Sequence, residues 1–231
     1  NADELKEALA LLEQAIAAEP TIEEAYEGVA RLHAAAGACQ EAIDACGRGL
    51  AVDTGYVPLW MSRGNVRVNW GNYKQNRGED PGEHYAAAIA DIGKAMELDP
   101  AHADAWMGRG HVHVNWGLFK ENRGDDPGEH YAAALADYDK ALEFNPAFAE
   151  AWMLRGGARM NCALYRIRRG DDPGEHSAAA IADYGKALEL NPAYAEAWLG
   201  RSGVRLNWGE YNSANGEDPG ELYAAAIDDS G

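Results

Sequence analysis

Three short segments bring carboxylates and an imidazole close together: Glu79-Asp80-x-x-Glu83-His84, Asp125-Asp126-x-x-Glu129-His130 and Asp171-Asp172-x-x-Glu175-His176. Oxygen and imidazole donors suit divalent metals, so such a row would make metal-binding edge loops. Two facts weigh against it. Adjacent Glu and His on a helix point in different directions, and the last copy has Leu222 in the place of the histidine. The Asp-Pro-Gly-Glu part also has a structural use, as helix N-cap, Pro at the first position and Glu at the third. Metal binding by the edge loops therefore stands third among the functional readings, and no residue is assigned as a metal ligand. His111-x-His113 reads as surface or groove packing, because residues two apart on a helix do not share a face.

Other catalytic arrangements are missing from the sequence. It holds no Ser-His-Asp order, no phosphate-cradling glycine loop and no paired catalytic carboxylates. Cys39, Cys46 and Cys162 are an odd number without CxxC spacing, which fits packing roles in a reducing compartment. Cys39 and Cys46 lie seven apart on one helix face, and Cys162 replaces the tryptophan found at Trp70, Trp116 and Trp208. The chain is expected not to be an enzyme, with no catalytic residue and no cofactor. Its 38 Asp and Glu against 20 Lys and Arg leave a net charge of −18, which argues against a nucleic-acid partner. No apolar run reaches the roughly 18–20 residues of a membrane span, so no membrane partner is expected.

What positions these residues is a tandem repeat. Asp-Pro-Gly-Glu begins at Asp80, Asp126, Asp172 and Asp218, always 46 residues apart. Trp60, Trp106, Trp152 and Trp198 keep that period, as do Asn69, Asn115, Asn161 and Asn207. Within a unit the apolar residues fall at helical spacing: Ala88, Ile89, Ile92, Ala95, Met96 and Leu98, stopped by Asp99-Pro100. A second helix follows at once, and no strand pattern occurs anywhere. Two helices per unit predict an all-α solenoid of helical hairpins.

One long-range pairing follows from the spacing. Arg63, Arg109, Arg155 and Arg201 each have an aspartate 28 residues on, at Asp91, Asp137, Asp183 and Asp229. An Arg–Asp pair between the two helices of each unit is expected; the alternative is that both are separately solvated.

These residues resemble the tetratricopeptide repeat family, whose pattern is matched by Trp106, Gly110, Ala134, Tyr138, Ala141 and Pro146. The resemblance implies an α-α superhelix, a right-handed solenoid of antiparallel helix pairs, over the whole of 1–231. Residues 1–22 look like the second helix of an incomplete unit, and 23–56 like a standard unit of about 34 residues. Extended units cover 57–102, 103–148 and 149–194, and 195–231 breaks off inside its second helix. Each extended unit has about 12 residues more than the family norm, and the alignment puts them between the two helices. With the second helix starting at Pro127 and its counterparts, about eight residues around Asn122-Arg123-Gly124 are left as a protruding loop on one edge. Aromatics at both ends of most of these segments, such as Phe119 and Tyr131, suggest that the loops pack on a neighbour. Which of the two takes the family's inter-helix aromatic position stays open.

In this family the concave groove is formed by the first helices, through residues one, five, eight and nine places after the Trp. Those places hold Met61, Met107, Met153 and Leu199; Asn65, His111, Gly157 and Gly203; Val68, Val114, Met160 and Leu206; and Asn69, Asn115, Asn161 and Asn207. The resemblance thus implies a soft apolar floor crossed by a row of asparagines, whose amides can pair with a peptide backbone without reading its side chains. The other reading of the row is that each Asn bonds to a neighbouring unit or ends its helix. A protein or extended peptide is the implied partner, and the acidic, Ala-rich units look similar to bacterial tetratricopeptide regions. A competing reading is self-assembly, with uncapped ends stacking head to tail into a homo-oligomer or filament. The ragged ends suggest a segment of a longer protein, and the cysteine usage a cytoplasmic location.

Overall fold

The computed structural model describes residues 2–230, and every regular element among them is an α-helix. In chain order these are α1 (Ala2–Ala18), α2 (Glu23–Ala35), α3 (Cys39–Val52), α4 (Val57–Asn76), α5 (Gly82–Leu98) and α6 (Ala103–Asn122). After them come α7 (Gly128–Phe144), α8 (Ala149–Arg169), α9 (Gly174–Leu190), α10 (Ala195–Ala214) and α11 (Gly220–Ser230). Asn1 and Gly231, the two ends of the chain, lie outside the described residues.

The helices gather into two compact units, Asn1–Phe119 and Lys120–Gly231. In the first, α2 packs on α3, α4 on α5, and the first helices α2 and α4 lie side by side. Its interior has two clusters, one around Tyr26, Val29, Cys46 and Leu59, the other around Tyr85, Ile92 and Val112. In the second unit α8 packs on α9, α10 on α11, and α8 beside α10, around Tyr184, Leu188 and Val204. Linkers this short make consecutive helices antiparallel neighbours. Each second helix buries one stripe, such as Tyr85, Ala88, Ile92, Ala95 and Met96 in α5, at spacings of three and four.

The expected protruding loop is absent. Against the short pair α2–α3, the first helix grows from 13 to 20 residues in α4 and the second from 14 to 17 in α5. The linker grows only from 36–38 to 77–81. The extra residues therefore lengthen both helices. Glycine sets where the first helix stops: Gly78, Gly124, Gly170 and Gly216 all sit at φ between 74° and 82°, a left-handed conformation that costs other residues about 1–2 kcal/mol. With it, Gly78 N–H donates to the Gln75 carbonyl at 2.9 Å and Glu79 N–H to that of Lys74 at 3.0 Å. This closes the last turn.

Aspartate sets where the second helix starts. The Asp80, Asp126, Asp172 and Asp218 side chains each accept the N–H two residues on, at 2.8–2.9 Å. Pro127 already has α-helical φ and ψ, and its carbonyl accepts Tyr131 N–H at 3.0 Å. The first helical residue is thus the proline in hydrogen-bond terms. Asp80→Ala is expected to cost about 1 kcal/mol, the usual worth of an N-cap, read as a lower urea midpoint. An unchanged midpoint would mean that water caps the helix equally well.

Candidate functional site

Three aspartates of the second helices, Asp91, Asp183 and Asp229, each gather two arginines from the first helix of the same hairpin. Arg63 donates to both carboxylate oxygens of Asp91, at 2.9 and 2.7 Å, and Arg67 adds a third bond at 2.7 Å. Arg155 grips Asp183 in the same way at 2.9 and 2.6 Å, with Arg159 at 2.7 Å. Arg201 and Arg205 both donate to Asp229. The second arginine also donates to a main-chain carbonyl of the facing helix, Ala87 for Arg67 and Ala225 for Arg205. Arg109 and Asp137 share one repeat but fall in different compact units of the fold; Asp137 is buried in α7, and the position of Arg67 is His113 in α6.

The first arginine of each set also lies over a tryptophan ring: Arg63 on Trp60 at 4.7 Å, Arg109 on Trp106 at 5.1 Å, Arg155 on Trp152 at 4.5 Å and Arg201 on Trp198 at 4.6 Å. Each indole N–H donates at 2.9 Å to a carbonyl in the turn just before its helix, that of Thr54, Pro100, Pro146 or Pro192. Turn, first helix and second helix are thereby stitched together through Trp, Arg and Asp. Three guanidinium bonds occupy three of the about four lone-pair sites of Asp91 and of Asp183. Each set links a first helix to the second helix that follows it.

The surface of the first helices is different. In the first unit Asn65 and Asn69 of α4, with Ser62 and Val66, face Glu27, Ala30, Arg31 and Ala34 of α2 across a cleft of about 160 Å³. Asn65 and Asn69 are exposed. Glu27, Arg31 and Ala34 stand one, five and eight places after Tyr26, which takes the Trp position in the short unit. Carrying the same places onto 23–56 would have found them.

Other residues on the expected groove have different surroundings. Asn115 donates to Asn72 of α4 at 3.2 Å, and Asn72 accepts from Tyr85 Oη at 2.7 Å, so this asparagine ties two first helices together. Asn207 and Met160 share a depression too small for a water molecule, and Asn161 is half-buried. The soft floor is mostly the outer layer of the core. Met61 packs against the first unit's cluster, Met153 and Met160 against the second's, and Val68 is buried. Met107 and His111 are half-buried, whereas Leu199 stands open at 71% exposure.

On the edge, no group of three or more His, Cys, Asp or Glu side chains comes together to hold a metal among the described residues. The reason is geometric: the aspartates turn inward to cap α5, α7, α9 and α11, while the histidines lie against neighbouring side chains. His84 stacks on Trp70 with ring centroids 4.5 Å apart. Burial pushes His84, His130 and His176 below the usual histidine range, which leaves them neutral rings at neutral pH. The linkers are anchored, as by Tyr165 of α8, which donates to Asp126 at 3.2 Å. Cys46 and Cys162 are buried and Cys39 half-buried, and burial raises the Cys46 and Cys162 thiols to about 11, so neither is a thiolate at neutral pH. No helix among the described residues is long and apolar enough to cross a membrane.

Stacked helix hairpins stitched in this way define a helical-repeat protein, and solved structures place the fold further. The chain resembles MamA, with a TM-score of 0.62 at 16% identity over 90% of this chain and 91% of that one. It also resembles YrrB, described as a TPR protein with an unusual peptide-binding site (TM-score 0.60, 19% identity, 94% and 91% covered). The third is TTC0263, a thermophilic TPR protein of Thermus thermophilus (TM-score 0.60, 20% identity, 89% and 92% covered). At these identities the likeness is one of fold: the chain has the all-α helical-repeat fold of tetratricopeptide proteins. No family model and no curated protein matches it.

Proposed function

We propose that this chain is a non-enzymatic scaffold that binds an extended peptide or protein segment along its first helices. The observation that carries this reading is the cleft between α2 and α4, where two exposed asparagines face a carboxylate and a guanidinium. The carboxamides of Asn65 and Asn69 each offer a donor and an acceptor, the pair that a peptide unit requires. Glu27 and Arg31 opposite them would select for charge. That YrrB, of the same fold, is described as having a peptide-binding site supports this class of partner.

The test uses a peptide selected from a random library for binding to this chain. Asn65→Ala with Asn69→Ala should weaken that peptide about 10–30-fold, two lost hydrogen bonds at roughly 1 kcal/mol each, with melting temperature unchanged. Asn115→Ala should do the reverse, lowering the melting temperature while leaving affinity alone, because its amide is spent on Asn72. Full affinity in the double variant would place the peptide elsewhere and remove the main support for this reading.

A further inference from the structure

The unit 149–194 departs from its neighbours by losing two aromatic side chains at once. Cys162 stands where the other extended units have Trp70, Trp116 and Trp208, and Ser177 where they have Tyr85, Tyr131 and Tyr223. The two losses are treated differently. Tyr85 fits because Gly71 faces it, a Cβ there falling 2.5 Å from its ring, and its hydroxyl lies within hydrogen-bond distance of Asn72 and Gln75. At the matching places around Ser177 the chain has Ala163, Leu164 and Ile167. A methyl refills the notch, and aliphatic groups stand where the partners of the tyrosine hydroxyl would be. The space around Ser177 cannot admit a water molecule.

Around Cys162 nothing refills the space. A cavity of about 260 Å³ lies there, lined by Gly128 and Tyr131 of α7, Cys162, Tyr165 and Arg169 of α8, and His176 of α9. Those walls match the surroundings of a tryptophan elsewhere in the repeat. Trp116 lies against Gly82 and beside Tyr85, its ring 3.6 Å from where a Cβ of Gly82 would be. Trp208 meets Gly174 in the same way at 3.5 Å. Gly82 and Tyr85 correspond to Gly128 and Tyr131. On the other side, Trp70 stacks on His84, which corresponds to His176. The cavity is therefore the mould of an indole, with its glycine floor, tyrosine wall and imidazole wall in place and the ring itself missing.

We propose that this cavity is a binding site for a planar bicyclic aromatic group, an indole, supplied from outside the chain. The walls that match the repeat are apolar or aromatic, and burial keeps the His176 ring neutral. A flat ring can stack on that imidazole as Trp70 does on His84. Exposed Arg169 and Asp171 stand at the mouth, so a polar substituent on the ring would remain at the solvent edge. Apolar cavities bind small aromatics in other proteins because they are poor sites for water; here the inner walls are apolar or aromatic, and the exposed Arg166 also lines the open side.

Isothermal titration of the purified chain with indole tests this directly. The expected result is one saturable site with a dissociation constant on the order of 1 mM or tighter. Cys162→Ala should keep it, because the hole remains. Cys162→Trp should fill the hole from within, weakening indole at least tenfold and raising the melting temperature by about 2–8 °C. N-acetyl-tryptophanamide serves as the second arm. Binding of both probes would assign the ring to a peptide's tryptophan, and binding of indole alone to a small molecule; either supports the site. No saturable indole binding, undiminished binding in Cys162→Trp, or a lower melting temperature in that variant would overturn it.

Discussion

Asp183→Ala should lower stability by about 3 kcal/mol or more, the low end of what removing one partner of a buried ion pair costs. The low end applies because Arg155 and Arg159 keep 12% and 24% of their side-chain surface exposed, so water can partly rescue them. Asp183 itself is 2% exposed and accepts three bonds from the two guanidiniums. For a chain of this length, that loss corresponds to a fall of about 6–12 °C in melting temperature. The exposed pair Lys186–Glu189, equally short at 2.6 Å, gives the contrast. Glu189→Ala should change stability by less than about 1 kcal/mol, as solvent-exposed pairs do. A double-mutant cycle with Arg155→Ala then separates coupling from coincidence. Contact through two bonds predicts strong non-additivity, and additive effects would show that Arg155 and Asp183 do not interact in solution.

The helical repeat was legible because its period never slips: a strict 46-residue spacing and apolar residues three and four apart leave only helices to form. The linker was misread for the opposite reason. Alignment to a shorter unit forces surplus residues into one gap, whereas the chain spreads them over two helices. Gly78, Gly124, Gly170 and Gly216, each two residues ahead of an aspartate N-cap, were the local signal, marking a helix stop beside a helix start. Likewise the second arginine of each set was overlooked. Arg67, Arg159 and Arg205 lie four residues after the first arginine, hence on the same helix face, but His113 interrupts the series. The groove was legible only in part. Position relative to tryptophan identifies which residues lie on the first helices, but it does not reveal which of them are claimed by a neighbour, as Asn115 is by Asn72.

Tyr184→Ala should be the most damaging change in the second unit, costing about 3–5 kcal/mol, as removal of a buried aromatic does. The ring is 3% exposed and sits where three helices meet. A Cβ at Gly156 of α8 would lie 3.2 Å from its ring carbons, and one at Gly157 3.6 Å from its hydroxyl. On the other side, a Cβ at Gly200 of α10 would fall inside contact distance of the same ring. The glycines cost their helices about 1 kcal/mol each relative to alanine, and the ring's packing repays that loss. Two outcomes follow from this geometry. Gly200→Ala should destabilise by about 1–3 kcal/mol, although alanine is the better helix former. Combined with Tyr184→Leu, which vacates the space under the new methyl, the same substitution should become neutral or stabilising. Urea denaturation of the four proteins in that cycle gives both numbers. If Gly200→Ala stabilises the wild type, the ring does not fill the gap between α9 and α10 as closely as its contacts imply.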